Sequence, residues 1–160
     1  MKVKLGHGTE GRSRLESIRA AHRNSSGGGS AGRQPAETDT MEDYLEVIYE
    51  LIQHKGYAIT VDISNYLNVS SPSVTKMVQK LDETGHLKYE KYRGIVLTKE
   101  GTDVAQNIRD RHILLVEFFK IIGVDDTTAN IDAEGIEHHL HLETLKKLEE
   151  FVKAIRKQQI

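Results

Sequence analysis

The chain has 160 residues, enough for one or two small domains with a buried core, and a formal net charge of −2. It contains no cysteine, which excludes a disulfide framework, a thiolate metal site and a cysteine nucleophile. No apolar run approaches the roughly 18 residues that span a bilayer, and the N-terminus lacks the apolar segment of a signal peptide, so we expect a soluble, cytoplasmic protein without a membrane partner.

Residues 1–40 differ in charge from the rest of the chain. They carry seven Lys and Arg against four Asp and Glu, whereas the other 120 residues carry fifteen against twenty. The run NSSGGGS at 24–30 has the composition of a flexible linker, and 15–21 is too short to persist alone as a helix. We interpret residues 1–40 as a disordered tail or an expression leader, with a basic nucleic-acid arm as the alternative.

From residue 41 onwards, apolar residues recur at helical spacing until Gly56 ends the run. On the opposite side of this predicted helix, Asp43, Glu46 and Glu50 lie within about 60° of one another. Like charges at spacings of three and four mildly destabilise a helix unless a cation neutralises them. This face is therefore either a solvated acidic surface or one part of a metal site.

Two shorter helices are predicted next, joined by a tight turn. Thr60 is a candidate N-cap for the first, and Ser71 followed by Pro72 indicates the start of the second. Opposite its apolar side, the second helix has a polar, weakly basic face formed by Ser73, Lys76, Gln79 and Lys80.

The hydrophobic period then changes to two, and 87–92 and 95–97 flank Arg93 and Gly94, which predicts a short hairpin. Two helices at a tight turn followed by a basic-tipped hairpin are typical of a winged helix-turn-helix, which we place at 41–98. Each polar residue alone would be ordinary surface, but their order favours binding of double-stranded DNA by Ser71, Ser73, Lys76, Gln79, Lys80, Lys91 and Arg93.

The remaining residues, 99–160, predict three helices. Thr98 caps a long helix that Gly123 ends, with His112 in its middle. The last helix carries an apolar stripe that a second copy of the chain would cover, so we expect a homodimer. The predicted fold is mostly α, with a winged helix-turn-helix DNA-binding domain joined by a long helix to a helical dimerisation domain.

The motif EGIEHH at 134–139 is the strongest chemical signal in this half. On a helix at about 100° per residue, Glu134, Glu137 and His138 share one face, and His139 points away. Two carboxylates and an imidazole on one narrow face favour a divalent metal between them. A solvated acidic face is the alternative, and a single mid-helix residue such as His112 is more often a core histidine than a ligand.

Several stretches of the chain match sequence motifs of a known family, and they occur in the same order: MEDY at 41–44 with Glu46, SVTKMVQKL at 73–81, YEKYRG at 89–94, RH at 111–112, IIGVD at 121–125 and EGIEHHL at 134–140. Through them, residues 41 to about 142 resemble the manganese transport regulators, a branch of the metalloregulators related to the diphtheria toxin repressor. The resemblance implies that six residues occupy metal-ligand positions: Asp43, Glu46, His112, Glu134, Glu137 and His138.

The chemistry of these six residues agrees with the resemblance. Two divalent ions would balance the four carboxylates, so we expect two Mn²⁺ ions per subunit. Oxygen-rich ligation with imidazole suits Mn²⁺, although nickel, copper or zinc bind more tightly by intrinsic order. The resemblance also implies that iron-responsive relatives use sulfur at the positions of Asp43 and Glu134, which favours manganese here.

The implied mechanism is a cross-link between the DNA-binding and dimerisation halves. Bound metal would set the two winged domains at a separation that fits successive major grooves, about 34 Å apart. The resemblance then implies a repressor of manganese-uptake genes. Two alternatives stay open. One is a metal-independent winged-helix regulator, and the other is a helical di-metal carboxylate enzyme, although the sequence lacks the paired Glu-x-x-His repeats expected of that class.

Overall fold

The computed structural model describes residues 7–24, 37–90 and 92–159. In these ranges the chain forms seven helices and one two-stranded sheet: α1 His7–Asn24, α2 Glu37–Lys55, α3 Thr60–Leu67, α4 Ser71–Glu83, β1 Leu87–Glu90, β2 Gly94–Leu97, α5 Lys99–Ile121, α6 Asp126–Ile136 and α7 Leu142–Gln158. The chain divides into two compact units, 1–106 and 107–160. The division falls inside α5, whereas the sequence prediction placed it at the first residue of that helix.

Helix α1 corrects the prediction for residues 1–40. Residues 7–24 are helical, so a disordered tail is the wrong description of this part. Leu15 and Ile18, one turn apart, are 1% and 2% exposed and belong to the core of the first unit. The helix contacts α2 and α3, and this packing stabilises a segment that would be marginal in isolation. Apart from its first residue, the predicted linker at 24–30 lies outside the described residues.

The middle of helix α2, residues 44–51, is buried because α1, α3 and α4 all contact this helix. Its acidic residues Glu46 and Glu50 are each only 1% exposed. A solvated acidic surface is therefore excluded for these two carboxylates. A buried carboxylate requires a hydrogen-bonded or cationic partner, since removing its charge from water is costly.

Both predicted N-caps of the helix-turn-helix are wrong by one residue. The N-cap of α3 is Ile59, which makes no capping hydrogen bond with its side chain, and Thr60 is already helical. The N-cap of α4 is Ser70, whose Oγ accepts a hydrogen bond from the backbone N–H of Ser73 at 3.3 Å. Adjacent serines are chemically equivalent as caps, so the sequence could not distinguish Ser70 from Ser71.

The predicted hairpin is present, and the turn before it lies against the start of α5. Strands β1 and β2 pair antiparallel, with Leu87 opposite Leu97 and Glu90 opposite Gly94. Gly101 in the first turns of α5 allows a close backbone approach, because a Cβ at this position would lie 1.9 Å from the carbonyl oxygen of His86. The turn that precedes β1 is thereby held directly against α5.

The second unit contains the rest of α5 together with α6 and α7. Ala129 and Ala133 are buried on α6, and Leu145 and Val152 are buried on α7, in agreement with the predicted apolar stripe. Arg156 forms an ion pair with Glu117, and the rings of Phe118 and Phe151 meet edge to face at 5.9 Å. Among the described helices, none combines the length and the hydropathy that crossing a bilayer requires.

Candidate metal centre and nucleic-acid interface

A histidine–carboxylate cluster lies in the second unit. His112 Nδ1 on α5 is 2.8 Å from Glu137 Oε2 and 3.6 Å from Glu134 Oε1. One potential ligand atom from each of the three residues lies within 4.8 Å of the other two. All three side chains are almost completely removed from solvent. The structure thus brings together three of the six predicted metal ligands.

The orientation of His112 is fixed by Asn130. The Asn130 side-chain N–H₂ donates to the carbonyl oxygen of Asp126 at 2.7 Å, so its Oδ1 faces His112 Nε2 at 3.0 Å. An amide oxygen only accepts, so Nε2 carries a proton, and in the neutral imidazole Nδ1 is then the nitrogen without one. The lone pair of Nδ1 then points at the carboxylate of Glu137. A cation placed there would be bound by the Nδ1 lone pair and by the Glu137 carboxylate together.

His138 joins the cluster just after the end of α6. The helix ends at Ile136 with Glu137 as its C-cap, so Glu137 and His138 lie beyond the helix on which the sequence analysis placed them. The backbone of Glu137 remains helical and its N–H bonds to the carbonyl oxygen of Ala133 at 3.0 Å. His138 Nε2 consequently lies 3.8 Å from Glu137 Oε1 with its side chain nearly buried, whereas His139 is exposed.

The N-terminus of α6, the helix that carries Glu134, is stabilised by a capping residue. Asp125 caps the helix and accepts hydrogen bonds from the hydroxyl of Thr128 at 2.7 Å and from its backbone N–H at 3.1 Å. These two bonds hold the pKa of the Asp125 carboxyl below its usual range. The cap is ionised at neutral pH and complements the positive end of the helix dipole.

The other two predicted ligands, Asp43 and Glu46, lie in the first unit. They sit one turn apart on α2, and both have partners on α1. Arg14 Nε donates to Glu46 Oε1 at 2.7 Å, and His22 Nε2 lies 3.8 Å from Asp43 Oδ2. Sequence reasoning missed these partners because residues 1–40 were interpreted as a tail.

The cluster in the second unit fits a divalent metal. Carboxylate oxygens and a neutral imidazole nitrogen are suitable ligands for manganese and related ions. The two carboxylates are almost completely shielded from solvent and converge on Nδ1 of His112, the ring nitrogen that Asn130 leaves available to a metal. A metal would supply electrostatic stabilisation to this cluster.

The predicted DNA-binding residues lie on an exposed surface of the first unit. Ser71, Ser73, Lys76 and Gln79 are exposed on α4, and Lys80 is partly exposed. Arg93 is exposed at the tip of the hairpin and contacts Glu90 at 3.3 Å. Lys91 lies outside the described residues. Tyr92 at the tip of the wing is 94% exposed and was not among the predicted DNA-binding residues.

A helix-turn-helix with a wing, followed in one chain by a helical unit with a buried histidine–carboxylate cluster, defines a metal-dependent DNA-binding regulator. The family model for the iron dependent repressor N-terminal DNA binding domain matches residues 37–95. The model for the iron dependent repressor metal binding and dimerisation domain matches residues 98–159. The chain belongs to the iron-dependent repressor family.

Individual relatives agree with this assignment. The HTH-type transcriptional regulator MntR of Shouchella clausii (strain KSM-K16) is 50% identical over 122 residues, which cover 76% of this chain and 85% of that protein. The solved structure of the manganese regulator SloR matches 71% of this chain with a TM-score of 0.63 and 29% identity. That of IdeR from T. acidophilum matches 74%, with a TM-score of 0.62 and 30% identity. The chain spans about half of these two solved chains, 53% and 55%.

The family membership settles the class of function. The chain is a metal-dependent, DNA-binding transcriptional repressor, as the sequence predicted, and homodimers are typical of its family. It is a regulator and not an enzyme, which excludes the helical di-metal enzyme as an alternative.

Proposed function

We propose that the chain represses manganese-uptake genes in the cytoplasm when Mn²⁺ is bound, and that it binds its operator as a homodimer. The convergence of His112, Glu134 and Glu137 carries this proposal, because these buried groups need a cation to offset their charge. Oxygen-rich ligation favours manganese over softer ions as the activating metal, and SloR, a solved relative, is a manganese regulator.

The proposed ligands are the three residues of this cluster together with His138 and the two carboxylates of α2, Asp43 and Glu46. The last two rest on the family resemblance and on their position one turn apart. Six ligands of which four are carboxylates suit two divalent ions per subunit.

Counting the ions tests this proposal. Free Mn²⁺ is followed by its electron paramagnetic resonance signal while it is titrated into metal-free protein. We expect two ions bound per chain, and the Glu46→Gln variant should lose one of them or bind it much more weakly. If the parent binds one ion per chain and the Glu46→Gln variant binds the same number with the same affinity, the proposed ligand set is contradicted. If Mn²⁺ fails to bind while Fe²⁺ or Zn²⁺ binds and activates, manganese is the wrong metal.

Asn130 is expected to matter for metal affinity without being a ligand. The Asn130→Ala variant removes the acceptor that fixes the proton on His112 Nε2, so Nδ1 is no longer held ready for the metal. Loss of such an orienting hydrogen bond typically weakens metal binding about 10–100-fold. The measurement is Mn²⁺ affinity by calorimetry. Asn107→Ala on an exposed position of α5 is the control, and equal affinities for both variants would refute the orienting role.

The proposed DNA contacts predict two different phenotypes. Gln79 on the exposed face of α4 should read a base edge, so Gln79→Ala should relax sequence preference at one operator position by about 1–3 kcal/mol. Arg93 at the wing tip should contact phosphate. The Arg93→Ala variant should therefore bind all DNA sequences more weakly to a similar extent, and the slope of log affinity against log salt concentration should fall by about one. Binding to an operator and its single-base variants at several salt concentrations separates the two. Identical profiles for parent and both variants would mean that another surface binds DNA.

A further inference from the structure

Helix α1 places a cationic side chain on a proposed metal ligand. Besides the 2.7 Å hydrogen bond from Arg14 Nε, the Nη2 of the same guanidinium reaches Glu46 Oε1. The two side chains are 6% and 1% exposed, so the pair is almost completely shielded from water. Shielding makes the attraction much stronger than that of a surface ion pair.

The rest of α1 holds Arg14 in place. Leu15, the next residue, and Ile18 are both buried in the core of the first unit. Arg19 stacks over the ring of Tyr66 on α3 with its guanidinium carbon 4.7 Å from the ring centre. Arg14 is also too buried to contact phosphate, which argues against it being part of a nucleic-acid arm.

A guanidinium on Glu46 disfavours a metal ion on the same carboxylate, because Arg14 already offsets its negative charge. It has five donors and no lone pair, so it never acts as a ligand at neutral pH. Its positive charge would also repel a divalent cation bound to the same carboxylate. The near contact of His22 with Asp43 sets a second group of α1 beside the second α2 carboxylate.

We propose that α1 is an internal competitor for the metal, in which the Arg14 guanidinium occupies Glu46 until Mn²⁺ displaces it. The inference rests on the proposed role of Glu46 as a ligand. Metal binding then requires Arg14 to leave, and the measured affinity is reduced by the fraction of protein in which Glu46 is released. Helix α1 thereby raises the manganese concentration at which the repressor responds.

The test compares Mn²⁺ binding to full-length variants by calorimetry. Arg14→Gln removes the competing charge and should lower the half-saturating Mn²⁺ concentration about tenfold. Arg23→Gln is the matched control, because it removes the same charge from an exposed position of the same helix and should leave binding unchanged. Thermal unfolding with a chelator verifies that both variants are folded.

A second measurement uses the unmodified chain, so that it does not depend on how Arg14→Gln folds. Hydrogen exchange of the amides at 15–22 should become faster when Mn²⁺ saturates the protein, because Arg14 is displaced. The inference is overturned if Arg14→Gln binds Mn²⁺ as weakly as the parent, or more weakly, while Glu46→Gln still reduces binding. Protection of α1 that is unchanged or increased by Mn²⁺ would overturn it as well. If Glu46→Gln leaves Mn²⁺ binding intact, Glu46 is not a ligand, and the proposed ligand set fails together with the inference.

Discussion

The Glu137→Gln variant is expected to lose its metal response and, with it, high-affinity DNA binding. Glu137 is completely buried, and its two carboxylate oxygens lie near His112 and His138. Glutamine has the same shape but lacks the negative charge that a cation in this cluster requires. Because losing an orienting partner alone costs about 10–100-fold in metal affinity, losing a charged ligand should cost at least about 100-fold.

The control for this variant is Glu143→Gln, an identical change at an exposed position in the first turn of α7. It should bind Mn²⁺ and DNA like the parent. Affinity for Mn²⁺ is measured by calorimetry, and DNA binding by fluorescence anisotropy at fixed Mn²⁺. If Glu137→Gln and Glu143→Gln behave alike in both measurements, the buried cluster is not the metal site.

The Gly101→Ala variant should destabilise the first unit severely. A methyl group at this position would lie 1.9 Å from the carbonyl oxygen and 2.9 Å from the carbonyl carbon of His86. Both atoms belong to the backbone, and the same carbonyl oxygen also accepts the N–H of Thr98 at 3.1 Å, so the turn before β1 cannot yield easily. Overpacking of this kind should cost about 3 kcal/mol or more.

Gly135→Ala provides the matched comparison, since it is also a helical glycine but has no atom within 4 Å of the added methyl group. It should stabilise the chain by about 0.5–1 kcal/mol, because alanine loses less backbone entropy in a helix. Denaturant unfolding with a chelator present measures both changes without interference from bound metal. Similar stabilities for the two variants would show that the turn at His86 does not lie against α5 as described.

The parts of the fold that depend on local patterns were predictable from the sequence. Alternating residues and the Arg93-Gly94 turn predicted the hairpin, and helical spacing predicted α4 with its exposed polar face. In the second unit, the spacing in EGIEHH and its resemblance to a family predicted the cluster, and the structure brings Glu134 and Glu137 to His112. Such features are encoded within a few residues, so neighbouring positions suffice to detect them.

The features that depend on tertiary contacts were not predictable in the same way. Helix α1 is marginal when judged alone, and it is stable here because Leu15 and Ile18 enter a core formed by other helices. The partner of Glu46 was invisible for the same reason, since Arg14 is 32 positions away in the chain. The role of Asn130 likewise depends on the approach of α5 to α6, which no local pattern specifies.

The central claim, that metal controls DNA binding, is tested most directly on one sample. DNA selected from a random pool by the manganese-loaded protein is labelled, and its fluorescence anisotropy is followed while Mn²⁺ is added to metal-free protein and then removed with a chelator. We expect binding to rise with Mn²⁺, to fall to the non-specific level with chelator, and to return when Mn²⁺ is restored. Binding that is equally tight without metal, and insensitive to the chelator, would contradict the account and indicate a metal-independent winged-helix regulator.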